Sequence, residues 1–407
     1  MSEWKKYKLS EIATLSNGIN FDKSAYTSGV KLIGVADFKD RIYPDYESLQ
    51  EVDSKVVRRG DYLEKGDIVF VRSNGNKELV GRCMMIDRDV PVTYSGFCIK
   101  LHLIDKNLFE PVYFNYLFRT RQFRKAITGT AVGANIQNLS QARLGNCEVN
   151  IPEIETQIRI ATILSRYDSL IENYQKQIKL LEEAAQRLYK EWFVELRFPG
   201  YENTKMVDGL PEGWMEEIVT ESKHFHFAKC RITPFDGTKT YYATADVDNT
   251  YFCSAGEPID YDNKPSRAQI QPSHNSVWFA RMSNSYKIIG FNRTNDTRRR
   301  DSILSSGFAG FESPFYNFGF LYCLVSSKWF DEQKNRFATG ATQVSLTNEG
   351  LSRIKYLSPD PKLVKEFSLK TNRVIEEIFL LRESCFKLAE ARDRLLPRLM
   401  GGGIIIN

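Results

Sequence analysis

The chain has no long apolar run, no paired cysteines and few histidines. No segment of its 407 residues approaches the roughly 20 consecutive apolar residues that a membrane span needs. The start, MSEWKKYKLS, lacks the apolar core of a secretion signal. The seven cysteines are scattered and never form a Cys-x-x-Cys pair, so neither a disulfide framework nor a zinc knuckle is indicated. We therefore expect a cytoplasmic protein with free thiols and no membrane partner.

Motifs of the common catalytic classes are missing as well. The sequence has no Gly-x-x-x-x-Gly-Lys-Ser/Thr phosphate loop, no Asn/Asp-Pro-Pro-aromatic tetrapeptide of amino-methyltransferases and no His-Glu-x-x-His zinc pair. His224 and His226 have no acidic or cysteine partner at ligand spacing, so no metal site is predicted. We expect a non-catalytic chain that holds no metal and no cofactor of its own.

One short pattern resembles a magnesium nuclease. Pro44-Asp45 followed by Asp53-Ser54-Lys55 fits an arrangement in which carboxylates and a lysine activate water at a phosphate. So short a pattern often arises by chance, and its counterpart, Asp262-Asn263-Lys264, lacks the Pro-Asp pair. Nuclease activity is therefore the minor alternative, and metal-dependent cleavage that is lost on Asp53→Ala would support it.

What the chain does contain is an internal duplication. Trp4 and Trp214 are 210 residues apart, and further anchors return in the same order at offsets between 207 and 211. These anchors are Ala36-Asp37 with Ala245-Asp246, Arg72 with Arg281, Gly81 with Gly290, Ser95-Gly96-Phe97 with Ser306-Gly307-Phe308, Thr128-Gly129 with Thr339-Gly340, Leu139 with Leu346, and Pro152 with Pro359. A period this long indicates two copies of a whole domain with its connector.

Each connector is predicted to be a long helix. From Leu164 to Trp192 apolar residues recur at steps of three and four, which is a heptad seam, and neither Gly nor Pro interrupts the sequence before Pro199. One helix from about Ile154 to Leu196 follows, roughly 60 Å long. A second helix 207 residues later keeps the register, with a polar start and Arg392 in the seam. The predicted seam residues are Ile171, Ile178, Leu181, Leu188, Trp192, Ile378, Leu381, Leu388 and Leu395.

We expect the two long helices to pair with each other in antiparallel fashion, because one helix cannot bury so narrow an apolar stripe alone. The alternatives are packing of each helix on its own domain or on a second chain. The predicted fold class is α+β: two duplicated mixed α/β domains separated by two long antiparallel coiled-coil helices, with pseudo two-fold symmetry. The predicted division is a first domain at 1–152, a first helix at 153–198, a linker with the second domain at 199–358, a second helix at 359–400 and a tail at 401–407.

The two copies share scaffold residues but differ in their polar loops. The segment 40–65, with Arg58 and Arg59, corresponds to a quite different sequence at 249–274. Loops rich in Arg, Lys and Asn supply the side chains that contact base edges and phosphates, and the net charge of +5 suits a nucleic-acid partner without requiring one. Solvated loops are the alternative. The predicted DNA-binding residues are Arg58, Arg59, Arg72, Asn74, Asn76, Lys77, Arg82, Arg281, Asn284, Lys287, Arg293, Arg298 and Arg299.

Several segments resemble the specificity subunit of type I restriction-modification systems, and the resemblance covers essentially the whole chain. They are TGTAVGANIQNLSQARLGN and the helix after it, the RFPGYE linker, LPEGW at 210–214, the strand start at 65–68, and the helix opening with Pro152, Glu155, Gln157 and Ile160. The second helix departs from this pattern because no Gln stands where Gln157 does in the first. The two helices are therefore not expected to present equivalent surfaces.

The resemblance implies a function. Two target-recognition domains would each read one half of a split, asymmetric double-stranded DNA sequence, and the paired helices would fix the gap and dock two methyltransferase subunits. The partners would bind S-adenosylmethionine, ATP and magnesium, and would methylate adenine and restrict DNA. This chain would direct them without catalysis of its own. The alternative function is a DNA-binding scaffold without sequence choice.

Overall fold

The computed structural model describes residues 4–38, 41–74, 79–128, 138–341 and 343–404. It divides into two compact units, the first formed by Met1–Leu170 with Leu388–Asn407 and the second by Ile171–Lys387. Each unit therefore contains one copy of the sequence repeat and one end of each long helix.

The first unit contains two small sheets and a closing strand pair. One sheet has the antiparallel order β2-β8-β5-β6; the other has the order β4-β3-β7, in which β3 and β7 run parallel. Strand β1 pairs with β9 and so brings the two ends of the domain together. Its elements are β1 (Lys5–Lys8), α1 (Leu9–Ile12), β2 (Ala13–Asn17), β3 (Val30–Ile33), β4 (Gln50–Val52), β5 (Ile68–Val71), β6 (Cys83–Met85), β7 (Val92–Tyr94), β8 (Cys98–Leu103), α2 (Pro111–Arg119), α3 (Arg121–Thr128), α4 (Gln141–Gly145), β9 (Glu148–Ile151) and the start of α5 (Ile154–Phe193).

The second unit repeats these elements and adds short hairpins. Its elements are β10 (Met206–Val207), β11 (Leu210–Pro211), β12 (Met215–Ile218), β13 (His226–Phe227), β14 (Lys239–Tyr242), β15 (Val247–Asp248), β16 (Tyr251–Phe252), β17 (Glu257–Ile259), β18 (Ala268–Ile270), β19 (Ser276–Ala280), β20 (Ile288–Phe291), α6 (Asp296–Asp301), β21 (Ser302–Ser305), β22 (Phe308–Glu312), α7 (Phe318–Val325), α8 (Lys328–Phe337), α9 (Asn348–Leu351), β23 (Lys355–Ser358) and the greater part of α10 (Pro361–Met400).

The two copies of the sequence repeat fold with the same sheet topology. The order β13-β22-β19-β20 repeats β2-β8-β5-β6, and β17-β14-β21 repeats β4-β3-β7 with its parallel pair. The closing pair β12–β23 repeats β1–β9 in register, since Met215 lies opposite Ser358 as Lys5 lies opposite Ile151. The predicted α+β class with two duplicated domains is confirmed.

The repeated Ala-Asp anchor closes the same turn in both copies. The Asp37 carboxylate accepts the backbone N–H of Gly34 at 2.7 Å, and the Asp246 carboxylate accepts the N–H of Ala243 at 2.7 Å. Each bond satisfies a donor at the start of a short 3-10 turn that follows the parallel strand. This anchor was therefore kept for backbone geometry.

The two long helices are each forty residues long. The first was predicted to end near Leu196 but ends at Phe193, because the chain reverses at Leu196, whose φ of 57° is left-handed. The reversal lets Phe198 stack on Trp214 at the start of the second domain, 5.3 Å between ring centroids. Among the described residues, no helix combines the length and the apolar character that crossing a bilayer requires.

In each unit, one end of α5 is buried together with the opposite end of α10. In the first unit, Leu164 of α5 lies in one core with Leu399 of α10, and in the second, Trp192 of α5 packs on Phe367 of α10 with ring centroids 5.5 Å apart. The start of one helix thus meets the end of the other, so the helices of one chain pair antiparallel as predicted. Of the predicted seam residues, Trp192, Ile378 and Leu381 are buried and the others are half-buried: Ile171, Ile178, Leu181, Leu188, Leu388 and Leu395.

A polar contact crosses the helix pair in the first unit. Asp168 of α5 pairs with Arg392 of α10 and also accepts a hydrogen bond from the Tyr116 hydroxyl of α2. Burial lowers the pKa of Arg392, but the adjacent Asp168 raises it above its ordinary value, so the guanidinium is a fixed charge. The arginine that interrupts the second heptad seam is therefore satisfied by a carboxylate of the first helix.

An analogous contact crosses the pair in the second unit. Glu182 of α5 pairs with Arg382 of α10, whose guanidinium also lies within 3.4 Å of the Tyr322 hydroxyl of α7. Thr250, in the hairpin between β15 and β16, donates to Glu182 at 2.7 Å. In both units the carboxylate comes from the first helix and the arginine from the second. We call these two contacts the helix latches.

Candidate nucleic-acid interface

Arg72 follows β5 at a point where several segments of the first domain meet. Its backbone N–H donates to the Phe97 carbonyl at 2.8 Å, and its carbonyl accepts from the Leu139 N–H at 2.7 Å. Its guanidinium donates to the Gly96 carbonyl at 3.4 Å. The residue is half-buried, so a large part of its role is to join three loops of its own domain.

Arg281 repeats this position after β19. Its backbone donates to Gly307 at 2.9 Å and accepts from Leu346 at 2.8 Å. Its guanidinium donates to the Leu346 carbonyl at 2.9 Å, to the Asn348 amide oxygen at 2.8 Å and to the Phe308 carbonyl at 3.3 Å. Burial lowers the pKa of Arg281. The repeated arginine is an architectural contact in both copies.

Arg281→Ala is expected to lower the stability of the second unit by about 2 to 4 kcal/mol, because it leaves half-buried oxygens without their charged donor. Denaturant unfolding followed by tryptophan fluorescence measures this. Arg300→Ala is the matched control, since the Arg300 side chain is 65% exposed and pairs only at the surface with Asp296. An unchanged unfolding midpoint with weakened DNA binding would instead make Arg281 a direct contact.

Two other predicted DNA-binding arginines face the second long helix. Arg298 donates to Glu383 at 2.8 Å and lies over the Phe386 ring at 4.6 Å. Arg293 pairs with Glu376 at 3.0 Å. Both carboxylates belong to α10, so these arginines hold the α6 region of the second domain against the helix.

The remaining predicted residues of the second domain also have contacts within it. Arg299 pairs with Asp296 at 2.7 Å and only 13% of its side chain is exposed. Lys287 donates to the Thr244 carbonyl at 2.7 Å, and the exposed Asn284 is held through its backbone N–H. Of these three, Asn284 presents the most side-chain surface to solvent.

The first domain presents Arg58 and Arg59 to solvent. They lie in a 3-10 turn after β4, where the Arg58 N–H donates to the Asp61 carboxylate at 2.9 Å. Lys100 of β8 donates to the Gly60 carbonyl at 3.2 Å and so fixes the turn to the sheet. Asn74 and Arg82 are half-buried. Asn76 and Lys77 lie outside the described residues.

Several exposed cations of the second domain were absent from the sequence prediction. Lys229 and Arg231 follow β13, and Arg267 precedes β18; all three are exposed. The sequence alone cannot distinguish these exposed cations from the ion-paired arginines at 293–299, because it does not show which basic side chains have an acceptor within the domain. The one available signal was distance from acidic neighbours, and it is weak.

The nuclease-like pattern has local structural roles. Asp45 pairs with Arg41 at 2.8 Å, and Asp53 caps a 3-10 turn by accepting the Lys55 N–H at 2.9 Å. Within the described ranges, no group of three or more His, Cys, Asp or Glu side chains could hold a metal ion.

His224 and His226, which are one residue apart, have different partners. His224 is buried, its ring lies 3.0 Å from the Pro359 carbonyl, and burial lowers its pKa. His226 lies at the surface, 2.9 Å from Glu312. His224 thus joins the second domain to the start of α10.

Gln157, the residue missing from the second helix, is internal. Its amide donates to the carbonyls of Leu108 at 3.0 Å and Pro152 at 2.9 Å, and accepts the Glu110 N–H at 3.0 Å. Its counterpart Val364 is buried in the second core. The difference between the helices at this position therefore changes how each domain is attached and leaves the outer surface unaltered.

Comparison with known proteins finds relatives of one class. Residues 1–183 match the family model described as type I restriction modification DNA specificity domain. The chain is 25% identical over 323 residues to the type I restriction enzyme MjaIX specificity subunit of Methanocaldococcus jannaschii, covering 74% of this chain and 71% of the relative. It is 22% identical over 410 residues to the putative MjaX specificity subunit of the same organism, covering 98% and 87%.

A solved structure shares the fold along the whole chain. The S subunit of a type I restriction-modification system from M. genitalium aligns with a TM-score of 0.58 at 14% identity, covering 98% of this chain and 96% of that one. The resemblance of the chain to type I specificity subunits, predicted from its motifs, is confirmed.

Proposed function

We propose that this chain is the sequence-specific DNA-binding subunit of a type I restriction-modification complex. Each recognition domain reads one half of a bipartite, asymmetric target, and the paired long helices set the gap between the halves. The observation that supports this most is the combination of one topology, repeated in register, with loops of different sequence between matched strands. Two copies of one scaffold that carry different loops suit a DNA target whose two half-sites differ in sequence.

The difference between the two faces is visible in matched loops. After β4 the first domain exposes Arg58 and Arg59 in a 3-10 turn, whereas after β17 the second domain exposes Arg267 before the additional strand β18. Cations at different places on one scaffold contact different phosphates and base edges. Each domain would therefore select its own short sequence.

Catalysis in this proposal belongs to partner subunits. Methyltransferase subunits would bind S-adenosylmethionine and methylate adenine, and restriction subunits would use ATP and magnesium. Leu180 of α5 and Leu369 of α10 are 64% and 56% exposed, and each would be covered if a methyltransferase subunit docked over it.

Mapping of methylated adenines in a host genome, with and without this chain and in the presence of its methyltransferase, tests the proposal. We expect one bipartite motif with two unlike halves and a fixed gap, present only when the chain is expressed. An unchanged methylation pattern, or a continuous motif without a gap, would contradict it. The same map supplies the duplexes needed for the experiments below.

A further inference from the structure

Phe97 and Gly307 occupy the same backbone position of the two domains. The sequence repeat pairs Phe97 with Phe308, but this alignment is wrong by one residue. The Arg72 N–H donates to the Phe97 carbonyl at 2.8 Å, and the matching Arg281 N–H donates to the Gly307 carbonyl at 2.9 Å. The first domain therefore carries a benzyl side chain where the second has none.

Phe97 is exposed to a degree unusual for its type. Its side chain is 61% exposed, whereas each of the other phenylalanines among the chain's 26, all within the described ranges, is buried or half-buried. Phenylalanine ordinarily lies in the core, and an exposed ring in a loop of small and polar residues carries a solvation cost. A ring held at the surface in this setting is available for a ligand to cover.

The backbone under this ring is fixed. The Phe97 N–H donates to the Ser95 hydroxyl at 3.2 Å, its carbonyl accepts from Arg72, and the Gly96 N–H donates to the Ile19 carbonyl at 2.7 Å. Because the loop is ordered before any ligand arrives, little conformational entropy is lost on binding. A rigid turn with one apolar side chain at its tip has the form of a wedge.

The ring has polar neighbours suited to DNA. The Arg72 guanidinium reaches the Gly96 carbonyl, and the exposed Asn20 side chain lies against Gly96, where an added Cβ would come within 2.1 Å of its oxygen. Proteins that insert an apolar side chain between base steps from the minor groove flank it with Arg, Lys, Asn or Gln, which contact groove edges. The cluster of Asn20, Arg72 and Phe97 has this composition.

We infer that Phe97 inserts between two neighbouring base pairs of the half-site read by the first domain and unstacks that step from the minor groove. The inference rests on the proposed function. At the matching position the second domain has no such ring, since Gly307 lacks a side chain and Arg267 Nη2 lies 3.6 Å from where its Cβ would be. At this matched position the first half-site therefore meets an aromatic ring, and the second meets a cation.

Duplexes that carry the mapped target with 2-aminopurine at successive positions test this inference. The full-length chain is used in complex with its methyltransferase subunits. Methyltransferases extrude the adenine that they methylate, so the target adenines are left unsubstituted. At the remaining positions we expect increased fluorescence at one step within the first domain's half-site and at no step in the second. Phe97→Ala and Phe97→Gly should abolish the increase and weaken binding about 10- to 100-fold, while Phe97→Trp should retain it.

Leu108→Ala is the matched control, because Leu108 is another apolar side chain of the first domain, 56% exposed and in the separate loop between β8 and α2. It should leave affinity and fluorescence unchanged. If Phe97→Ala binds as tightly as the parent and no step of the first half-site brightens in the parent complex with the target adenine left unsubstituted, the wedge is refuted while bipartite recognition stands. If no sequence-dependent binding exists at all, the proposed function fails and the wedge with it. Retained discrimination at the second half-site in Phe97→Ala would show that the variant is folded.

Discussion

Insertion of one heptad into both long helices is expected to abolish recognition of the native target and to create recognition of one with a longer gap. Seven residues add about 10 Å to a helix, and a base pair of DNA rises about 3.4 Å, so the new gap should be longer by about three base pairs. The half-sites themselves should not change, because the loops that read them are untouched.

The structure indicates where to insert. The two compact units meet in sequence between Leu170 and Ile171 on the first helix and between Lys387 and Leu388 on the second. Seven residues placed at both points, with leucine at the two seam positions, leave each unit's internal contacts as they are. The latch of Asp168 with Arg392 remains within the first unit and that of Glu182 with Arg382 within the second.

Mapping of methylated adenines reads the outcome directly. The control is insertion of the same heptad into the first helix alone, which puts its two ends out of register with the second helix and should lower stability and methylation together. If the doubly inserted chain folds and its complex with the methyltransferase still methylates the native target with the original gap, the helices do not set the spacing.

Features that depend on periodicity could be predicted from the sequence. The heptad seam from Leu164 to Trp192 predicted a long helix, and the offset of 207 predicted its partner. Both exist, and the first helix begins at the predicted Ile154 and ends at Phe193, three residues before the predicted end. Such patterns are predictable because many residues report the same structural fact. Arg392 appeared as an interruption of the seam, because its partner Asp168 is 224 residues away in sequence.

Features that depend on a single contact could not be predicted. Arg72 and Arg281 fit a DNA-binding loop by residue type, yet their carbonyl acceptors come from loops that only the fold brings near. The pairing of Phe97 with Phe308 followed matching letters, and the backbone bonds shift it by one residue. The matching letters paired Phe97 with Phe308, which is buried in the core, whereas Phe97 is an exposed ring. The candidate wedge was therefore not visible in the sequence.

The latch of the second unit fixes which residues of the two helices face each other. Glu182 and Arg382 have side chains only 29% and 15% exposed, and Thr250 bonds to both. Burial lowers the pKa of Arg382, but Tyr322 and Glu182 outweigh this and raise it above its ordinary value. Removing one charge of such a pair leaves the other without compensation in a poorly solvated site.

Arg382→Glu is therefore expected to destabilise the second unit by about 3 to 5 kcal/mol, since two carboxylates then share the site. Glu182→Arg should cost a similar amount, and the exchange of both charges should recover most of the loss, which a double-mutant cycle measures. Four of the five tryptophans lie in the second unit, so denaturant unfolding followed by tryptophan fluorescence reports mainly on it.

The matched control is Glu172→Arg, on the same helix, because Glu172 pairs with Lys176 at the surface with both side chains more than half exposed. It should change stability by less than about 0.5 kcal/mol. Equal effects of Arg382→Glu and Glu172→Arg would show that the latch contributes no more than a surface pair. A large, recoverable effect would instead show that carboxylates on the first helix and arginines on the second select pairing within the chain. Helix pairs formed from two copies of the same helix would lack these partners.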